Sequence, residues 1–213
     1  MLDKTDQEII QQIREKIELE ATALNRVAGQ VDEAYAVAAR LIADCKGRVI
    51  VTGLGKTGHV GSKIAASFAS LGIPSFFVHS CESLHGDMGM IQEEDLVIMI
   101  SNSGKSPEIL NMLPPLKIIG PKTISITNNR QSPLAQETDV AILCDAGDEI
   151  DNNGLAPTSS STAALAVGDA LAVVVSHAKS FSKTDFALRH PGGALGKKLM
   201  KEYMGKVEKS INT

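Results

Sequence analysis

Residues 48–59, RVIVTGLGKTGH, decide the fold of this chain. A short apolar run rich in β-branched residues ends at Gly53 and passes through a glycine-rich turn directly into helix-like sequence. Short apolar runs alternating with helical segments are typical of parallel sheets. Four such runs follow: PSFFV (74–78), DLVIMIS (95–101), KTISIT (122–127) and DVAILC (139–144). We therefore predict an α/β fold, a doubly wound five-stranded parallel sheet flanked by helices in a three-layer α/β/α sandwich.

The segments between and before these runs predict the helices. Thr5-Asp6-Gln7-Glu8 has the form of a capping box, and isoleucines and leucines then recur at helical spacing. The further helices are predicted at 34–45, 57–71, 107–119, 133–138 and 159–179. The domain prediction assigns 1–46 to N-terminal helices that pack on the domain and form an oligomer interface, 47–200 to the α/β domain, and 201–213 to a polar C-terminal tail.

Composition narrows the possible partners. The 21 basic and 25 acidic residues leave a formal charge of −4, so no basic surplus favours nucleic acid or an anionic membrane. No apolar run approaches the roughly 18 to 20 residues that span a bilayer. The N-terminus lacks a signal-peptide core, and we expect a cytoplasmic protein. The three cysteines match no disulfide framework or CxxC pair.

The turn after the first strand, Gly53-Leu54-Gly55-Lys56-Thr57-Gly58, has the glycine spacing of a dinucleotide site. No acidic residue closes the second strand, however, and Glu82 is only loosely placed to bind a ribose. A Walker A loop requires a different spacing. These observations leave a small-anion loop that carries Lys56.

Two hydroxyl-rich segments follow later strands. Ser101-Asn102-Ser103-Gly104-Lys105-Ser106 opens a helix at Pro107, where unpaired backbone N–H groups favour anions. Thr158-Ser159-Ser160-Ser161-Thr162 opens the next long helix in the same way. The alternative for each is an ordinary serine-rich cap. Because ligands bind beyond the carboxyl ends of parallel strands, we expect both segments to face one crevice and to bind phosphate and sugar hydroxyls.

Candidate acid and base groups surround these segments. They are His79, Glu82, His85 and Asp87 after the second strand, then Glu108, Glu149 and His190. Each alone has a structural alternative, as a dipole partner, a solvated loop charge or a turn residue. Together with a phosphate site they supply the proton transfers that an enediolate requires. The His79 and His85 spacing matches no usual structural zinc site, so we expect no required metal and at most adventitious or inhibitory binding there.

The motifs, in this order, resemble the sugar isomerase (SIS) domain of the arabinose-5-phosphate isomerase family. The resemblance rests on GLGKTGHVGSKIAASFASLGIPSFFVH, ESLHGDMGMI, ISNSGKSPEI, GLAPTSSSTAALAVGDALAV and DFALRHPGGALGKKL, which cover most of 48–199. It implies interconversion of D-ribulose 5-phosphate and D-arabinose 5-phosphate for Kdo biosynthesis in lipopolysaccharide or capsule. It also implies a homotetramer whose active sites share residues between subunits, and no cofactor.

The resemblance also implies residue roles. Lys56, Glu108, Glu149 and His190 correspond to the catalytic groups, and we expect one of the last three to abstract a proton from C1 or C2. His190 or His85 is expected to serve ring opening or proton return. Similarity to the wider family implies that the phosphate is held by Gly55, Thr57, Ser101, Asn102, Ser103 and Ser106, with Glu82 and the hydroxyls of 158–162 nearby.

Two features depart from the family pattern. Lys105 stands where the family usually has glutamate, which favours a more anionic ligand. Longer relatives continue into paired CBS domains, so we expect a short form without CBS-mediated regulation inside this chain. A non-catalytic SIS module that senses a sugar phosphate or CMP-Kdo is the alternative function, and CMP-Kdo is a further possible feedback ligand of an enzyme.

Overall fold

The sheet holds five parallel strands in the order β2-β1-β3-β4-β5. In the computed structural model, which describes residues 4–211, the strands are β1 (Val49–Gly53), β2 (Ser75–His79), β3 (Leu96–Ile100), β4 (Lys122–Thr127) and β5 (Val140–Leu143). Each strand lies within or within one residue of a predicted apolar run. Strands β1 and β3 are buried throughout, as expected for sheet strands covered on both faces. The predicted five-stranded parallel sheet is confirmed.

The helices begin where capping side chains satisfy their first N–H groups. In α1, the Glu8 N–H donates to Thr5 Oγ1 and the Thr5 N–H donates to the Glu8 carboxylate, which is the predicted capping box. Asp32 accepts from the Ala34 N–H at the start of α2. The helices are α1 (Asp6–Ala28), α2 (Glu33–Asp44), α3 (Gly55–Ser70), α4 (Ser80–Ser83), α5 (Pro107–Leu110), α6 (Leu113–Ile119), α7 (Pro133–Glu137), α8 (Ser159–Ala178), α9 (Lys183–Arg189) and α10 (Ala194–Ile211).

One predicted helix is wrong in its continuity. The segment 107–119 forms two helices, α5 and α6, instead of one. Pro114 and Pro115 lack the N–H groups that would continue the helical hydrogen bonds, so the backbone is interrupted before them. The Met112 N–H instead donates to the Ile109 carbonyl, three residues earlier.

Helices cover both faces of the sheet. One face packs against α1, α2, α3 and α8, with Ile64, Phe68 and Val167 in its core. The other face packs against α5, α6 and α7, with Ile109, Met112 and Leu116 in its core. The predicted three-layer α/β/α sandwich is therefore present, and both N-terminal helices contact α8.

Helix α8 corrects the expectation that no segment approaches the length of a membrane span. Among the described helices, Ser159–Ala178 is long and apolar enough to cross a bilayer by length and composition. In the fold it contacts α1, α2 and α3, and Ala163, Val167 and Ala172 are buried in the core. A central core helix needs an apolar surface on several sides, which explains the composition.

The C-terminal region is more regular than the predicted polar tail. Residues 201–211 continue α10, which packs against α9, and residues 212–213 of the predicted tail lie outside the described residues. Lysine and glutamate are common in this stretch and favour helices, so a polar composition is compatible with helical structure.

Candidate active site

The sheet order places the candidate site between β1 and β3. The order in which strands are added to the sheet reverses at this point, since β2 lies on one side of β1 whereas β3, β4 and β5 lie on the other. Gly53 and Ile100, the last residues of β1 and β3, are register partners. The glycine-lysine loop and the serine loop that follow them are therefore neighbours, at the edge where parallel sheets bind ligands.

The loop after β1 needs its glycines for close packing and turn geometry. A Cβ at Gly53 would lie 2.7 Å from the Thr57 carbonyl oxygen, and Gly55 has a φ of +55°. The Thr57 hydroxyl accepts from the Leu54 N–H at 3.2 Å and donates to the Leu54 carbonyl at 2.8 Å. Thr57 thus shapes the loop, whereas the side chain of Lys56, in the first turn of α3, is exposed to solvent.

The serine loop after β3 is held in place from β4. The buried Ser101 hydroxyl lies 3.1 Å from the Ser106 hydroxyl and accepts from the Gly104 N–H at 3.2 Å. The Asn102 carbonyl accepts from the Thr127 hydroxyl and from the Asn128 N–H, both at 2.9 Å. This leaves the side chains of Asn102 and Ser103 exposed at the mouth of the loop. The loop has the preorganised hydroxyl and N–H groups of an anion site.

Glu149 caps the N-terminus of α8. Its carboxylate accepts from the Thr158 N–H at 2.7 Å, the Thr158 hydroxyl at 2.9 Å and the Ser160 N–H at 3.3 Å, and also from the Ser160 hydroxyl. Burial raises the pKa of this carboxyl, but the hydrogen bonds from Ser160 and Thr158 lower it by more, so the pKa lies below the ordinary value of a glutamate. Glu149 is therefore ionised at neutral pH.

The second hydroxyl cluster reaches the same crevice through one residue. A small cleft of about 10 Å³ lies beneath the loops, so the start of α8 lies beside both of them; it is lined by Thr57, Asn102, Thr127 and Ser160 together with Ile100, Ile126, Cys144 and Ala164. Most of the other hydroxyls serve the protein itself. Ser161 donates to the carbonyls of 157 and 158, whereas the buried Ser159 hydroxyl has no hydrogen-bond partner among residues 4–211, and Thr162 is half-buried.

The three remaining candidate side chains near this edge lie on or just after α4 and on α5. Helix α4 contacts α5, and the Ser80 hydroxyl at its start donates to the Gly53 carbonyl at 3.3 Å. Glu82 and His85 are exposed on or just after α4, and Glu108 is half-buried on α5. Helices α4 and α5, which carry Glu82 and Glu108, therefore lie next to the two loops at the β1/β3 switch point.

His190 is the residue that a single chain does not bring to the crevice. It follows α9 and its Nε2 lies 2.6 Å from the hydroxyl of Ser70, the last residue of α3. Lys56 lies at the opposite end of α3, about 21 Å away at 1.5 Å rise per residue. Within one chain, His190 therefore does not join Lys56 in one site, because α3 runs from the carboxyl ends of the strands back to their amino ends. A site that shares His190 between subunits stays a prediction.

The imidazole of His190 is nonetheless firmly oriented. Its Nδ1 lies 2.8 Å from the Phe186 carbonyl, and its ring stacks on Phe186 at a centroid distance of 3.8 Å. Because a carbonyl only accepts, Nδ1 carries the proton and Nε2 is the nitrogen shared with Ser70. Such an orienting pair is typical of a histidine with a proton-transfer role.

The His79 and His85 region forms no metal cluster. Across the described residues, no three His, Cys, Asp or Glu side chains converge as metal ligands. His79 Nδ1 accepts from the Cys81 N–H at 3.3 Å, which directs this nitrogen to the backbone.

The sequence interpretation missed the residues that support the loops. Thr127 and Asn128 anchor the serine loop, and Gln30 binds the backbone of Asp145 beside the Glu149 segment. The polar triplet Thr127-Asn128-Asn129, at the end of the buried β4 run, was a signal for the first pair. Nothing in the local pattern marks Gln30, because its partner lies 115 residues away.

Fold and site together define a doubly wound α/β protein whose glycine-lysine loop and serine loop meet at the β1/β3 switch point. The chain belongs to the SIS domain family, which matches residues 41–174. It is 45% identical over 196 residues to the arabinose 5-phosphate isomerase KpsF of Escherichia coli O6:H1, which covers 92% of this chain and 60% of that protein. It is 46% identical over 193 residues to the arabinose 5-phosphate isomerase KdsD of Pseudomonas aeruginosa, covering 91% and 59%.

Solved structures agree with this assignment. A protein of Escherichia coli CFT073 in complex with arabinose 5-phosphate superposes with a TM-score of 0.86 at 42% identity, covering 88% of this chain and all of that one. A putative sugar-phosphate isomerase of Listeria monocytogenes has a TM-score of 0.86 at 31% identity, covering 89% of this chain. The chain spans about 60% of the length of the curated relatives named above.

Proposed function

We propose that the chain is an aldose-ketose isomerase that interconverts D-ribulose 5-phosphate and D-arabinose 5-phosphate through a cis-enediol. One observation carries the proposal: the serine loop 101–106 and the Lys56 loop are neighbours at the switch point, and Glu82 and Glu108 lie on the adjacent helices α4 and α5. The relatives named arabinose 5-phosphate isomerase support the substrate.

The phosphate is proposed to bind at the serine loop. Ser101 and Ser106 present adjacent hydroxyls, 3.1 Å apart, and Ser103 is exposed at the mouth. Hydroxyl and N–H donors at this edge suit a dianion. Lys56 and Lys105 add two exposed cations on the two loops, and each would offset negative charge on the phosphate or on the enediolate oxygen.

Glu108 is proposed as the base. It would remove a proton from C1 of the ketose, giving an enediolate whose negative charge on O2 faces Lys56. A proton would then pass from O1 to O2, and Glu108 would return its proton to C2 as the C1 carbonyl of the aldose forms. Glu149 is less suited to this step because hydrogen bonds from Thr158 and Ser160 stabilise its ionised form and weaken it as a base. Its proposed role is to hold the α8 N-terminus beside the cleft.

His190 is proposed to act in the active site of a partner copy within a homotetramer. Its position beside Ser70, at the far end of α3, keeps it from the crevice of its own chain. Helix α1 exposes Ile10, Ile13 and Ile17, spaced to share one helical face that a second copy would cover.

The proposed setting is the cytoplasm, where the product would enter Kdo synthesis for lipopolysaccharide or capsule. CMP-Kdo is proposed as a feedback ligand in the same crevice, supported by the two exposed cations Lys56 and Lys105. Isothermal titration with CMP-Kdo tests this part separately: absence of both heat and inhibition removes it and leaves the isomerase proposal intact.

The deciding experiment follows ribulose 5-phosphate and a panel of aldose and ketose phosphates by NMR with the purified chain. We expect arabinose 5-phosphate to form, and Glu108→Gln to lower kcat by about 100-fold or more. The exposed Glu93→Gln serves as the control with the same chemical change. Tight binding of a sugar phosphate without turnover would replace the enzyme by a sensor.

Mixed oligomers test the shared site. Glu108→Gln and His190→Ala chains are each expected to be inactive alone. When the two are co-expressed in equal amounts, roughly a quarter of the shared sites would combine an intact Glu108 from one variant with an intact His190 from the other. Recovered activity supports a His190 supplied by the partner. A mixture as inactive as its parents contradicts it.

A further inference from the structure

Side chains of helix α1 hold both ends of the segment 145–150, which carries Glu149. Gln30 Nε2, just after the helix, donates to the Asp145 carbonyl at 2.7 Å, and its Oε1 accepts from the Asp145 N–H at 3.0 Å. Arg26 Nε donates to the same carbonyl at 3.1 Å, and its guanidinium pairs with the Asp145 carboxylate. At the other end, Lys16 Nζ donates to the Ile150 carbonyl at 2.5 Å.

The contacts at Asp145 fix backbone as well as side chain. Gln30 bonds both the N–H and the C=O of one residue, as a neighbouring strand would. The Asp145 carboxylate in turn accepts from the Gly147 N–H at 3.0 Å. The hydrogen bond from Arg26 lowers the pKa of Asp145, so the ion pair is intact at neutral pH.

Close packing does not hold the middle of this segment. An open cavity of roughly 300 Å³ separates it from α1 and is lined by Lys16, Leu19, Arg26, Asp148 and Glu149 among others. Gly147 and Asp148 are exposed. Ala146 is buried in the core, and the Ile150 N–H donates to the Thr158 hydroxyl at 3.0 Å, so the segment is also anchored on its inner side. Because van der Waals contacts are few across the gap to α1, the polar contacts from Arg26, Gln30 and Lys16 are what hold the segment on that side.

Glu149 is connected to the cleft through Ser160. The Glu149 carboxylate binds both the N–H and the hydroxyl of Ser160, and Ser160 lines the cleft with Thr57 and Asn102. We propose that Arg26 and Gln30 are positioning residues for the isomerisation: through Asp145 they set where Glu149 and the start of α8 lie beside the cleft. The catalytic part of this inference rests on the proposed function.

The experiment uses the full chain with Arg26→Ala, Arg26→Lys and Gln30→Ala. Arg14→Ala and Gln12→Ala are matched controls on α1, because both residues are exposed and their hydrogen bonds lie within 4–14. Amide hydrogen exchange of residues 150–162 reports the segment without any assay of activity. We expect Arg26→Ala and Gln30→Ala to exchange faster by about ten-fold there, with Arg26→Lys intermediate and both controls unchanged.

Kinetics then separate positioning from general destabilisation. We expect kcat to fall by about ten-fold in Gln30→Ala with a smaller change in KM. When Gln30→Ala is added to Glu149→Gln, kcat should fall little further, since both substitutions act on the position of segment 145–150. Fully additive losses, or unchanged exchange in 150–162, overturn the inference. A wild-type chain that turns over no sugar phosphate removes the proposed function, and the exchange result alone then decides whether α1 positions the segment.

Discussion

Replacing Glu149 measures how far its carboxylate stabilises the start of α8. Two N–H and two hydroxyl groups donate to it. A hydrogen bond to a charged acceptor contributes about 1.5 to 3 kcal/mol when buried, and a helix cap about 1 kcal/mol. Because Glu149 is only half-buried, water can replace part of what is lost. We expect the free energy of unfolding to fall by about 2 kcal/mol in Glu149→Ala and about 1 kcal/mol in Glu149→Gln.

The pH dependence of the free energy of unfolding shows whether the ionised form of Glu149 provides this stabilisation. The pKa of Glu149 is lower in the folded chain than in the unfolded chain, since its hydrogen bonds outweigh the effect of burial. Its contribution is thus fully present above the unfolded pKa of about 4.3 and is lost as the pH falls through the folded pKa. The difference between wild type and Glu149→Gln should therefore shrink steadily below about pH 4.

The assay is urea unfolding at fixed protein concentration, from neutral pH downward, because assembly would couple stability to concentration. Asp148→Asn is the control: it removes the same charge from an exposed side chain of the same segment. Equal effects of Glu149→Gln and Asp148→Asn, or a Glu149→Gln effect that persists unchanged in acid, would refute the capping argument.

Three further predictions address the loops and the core. Gly53→Ala should lower the unfolding free energy by about 2 kcal/mol, because the new Cβ meets the Thr57 carbonyl at 2.7 Å, whereas Gly89→Ala, with open space around it, should change it little by thermal denaturation. Lys105→Glu should raise KM for the sugar phosphate roughly three-fold, the loss expected for one exposed ion pair, and KM of the variant should depend less on salt concentration. An unchanged KM would show that Lys105 does not contribute to recognition of the sugar phosphate. Burial raises the pKa of Cys144 to about 12, so its thiol should resist alkylation at pH 8 until the chain unfolds, as read by mass spectrometry.

The strands were predictable because each is a short apolar run bounded by polar or glycine-rich sequence. The adjacency of the loops after β1 and β3 was predictable for a related reason, since parallel strands present their carboxyl ends together, whereas their use as an anion site stays a prediction. The division between α5 and α6 is encoded by Pro114 and Pro115, but the apolar helical pattern of 107–119 continues across it, so that pattern predicts one helix.

The hydrogen-bond partners of the side chains could not be predicted from the local sequence pattern. Glu149 was expected to be a candidate base, yet it caps α8 through Thr158 and Ser160. Its hydrogen bonds depend on where the loop after β5 folds back, and residues in that loop follow no regular period. Gln30 and Arg26 are likewise ordinary polar residues in and after an amphipathic helix until Asp145 is placed beside them.

The amino-acid sequence by itself determined the strands, the parallel sheet and the chemistry of the loops, because apolar periodicity and turn residues act over a few neighbouring positions. Only the tertiary structure decided which groups meet. It placed His190 against Ser70, at the opposite end of α3 from Lys56, because α3 runs back along the strands from the carboxyl end of β1 to the amino end of β2. It also tied α1 to the segment that carries Glu149, through pairs 115 and 119 residues apart whose distances no local pattern encodes.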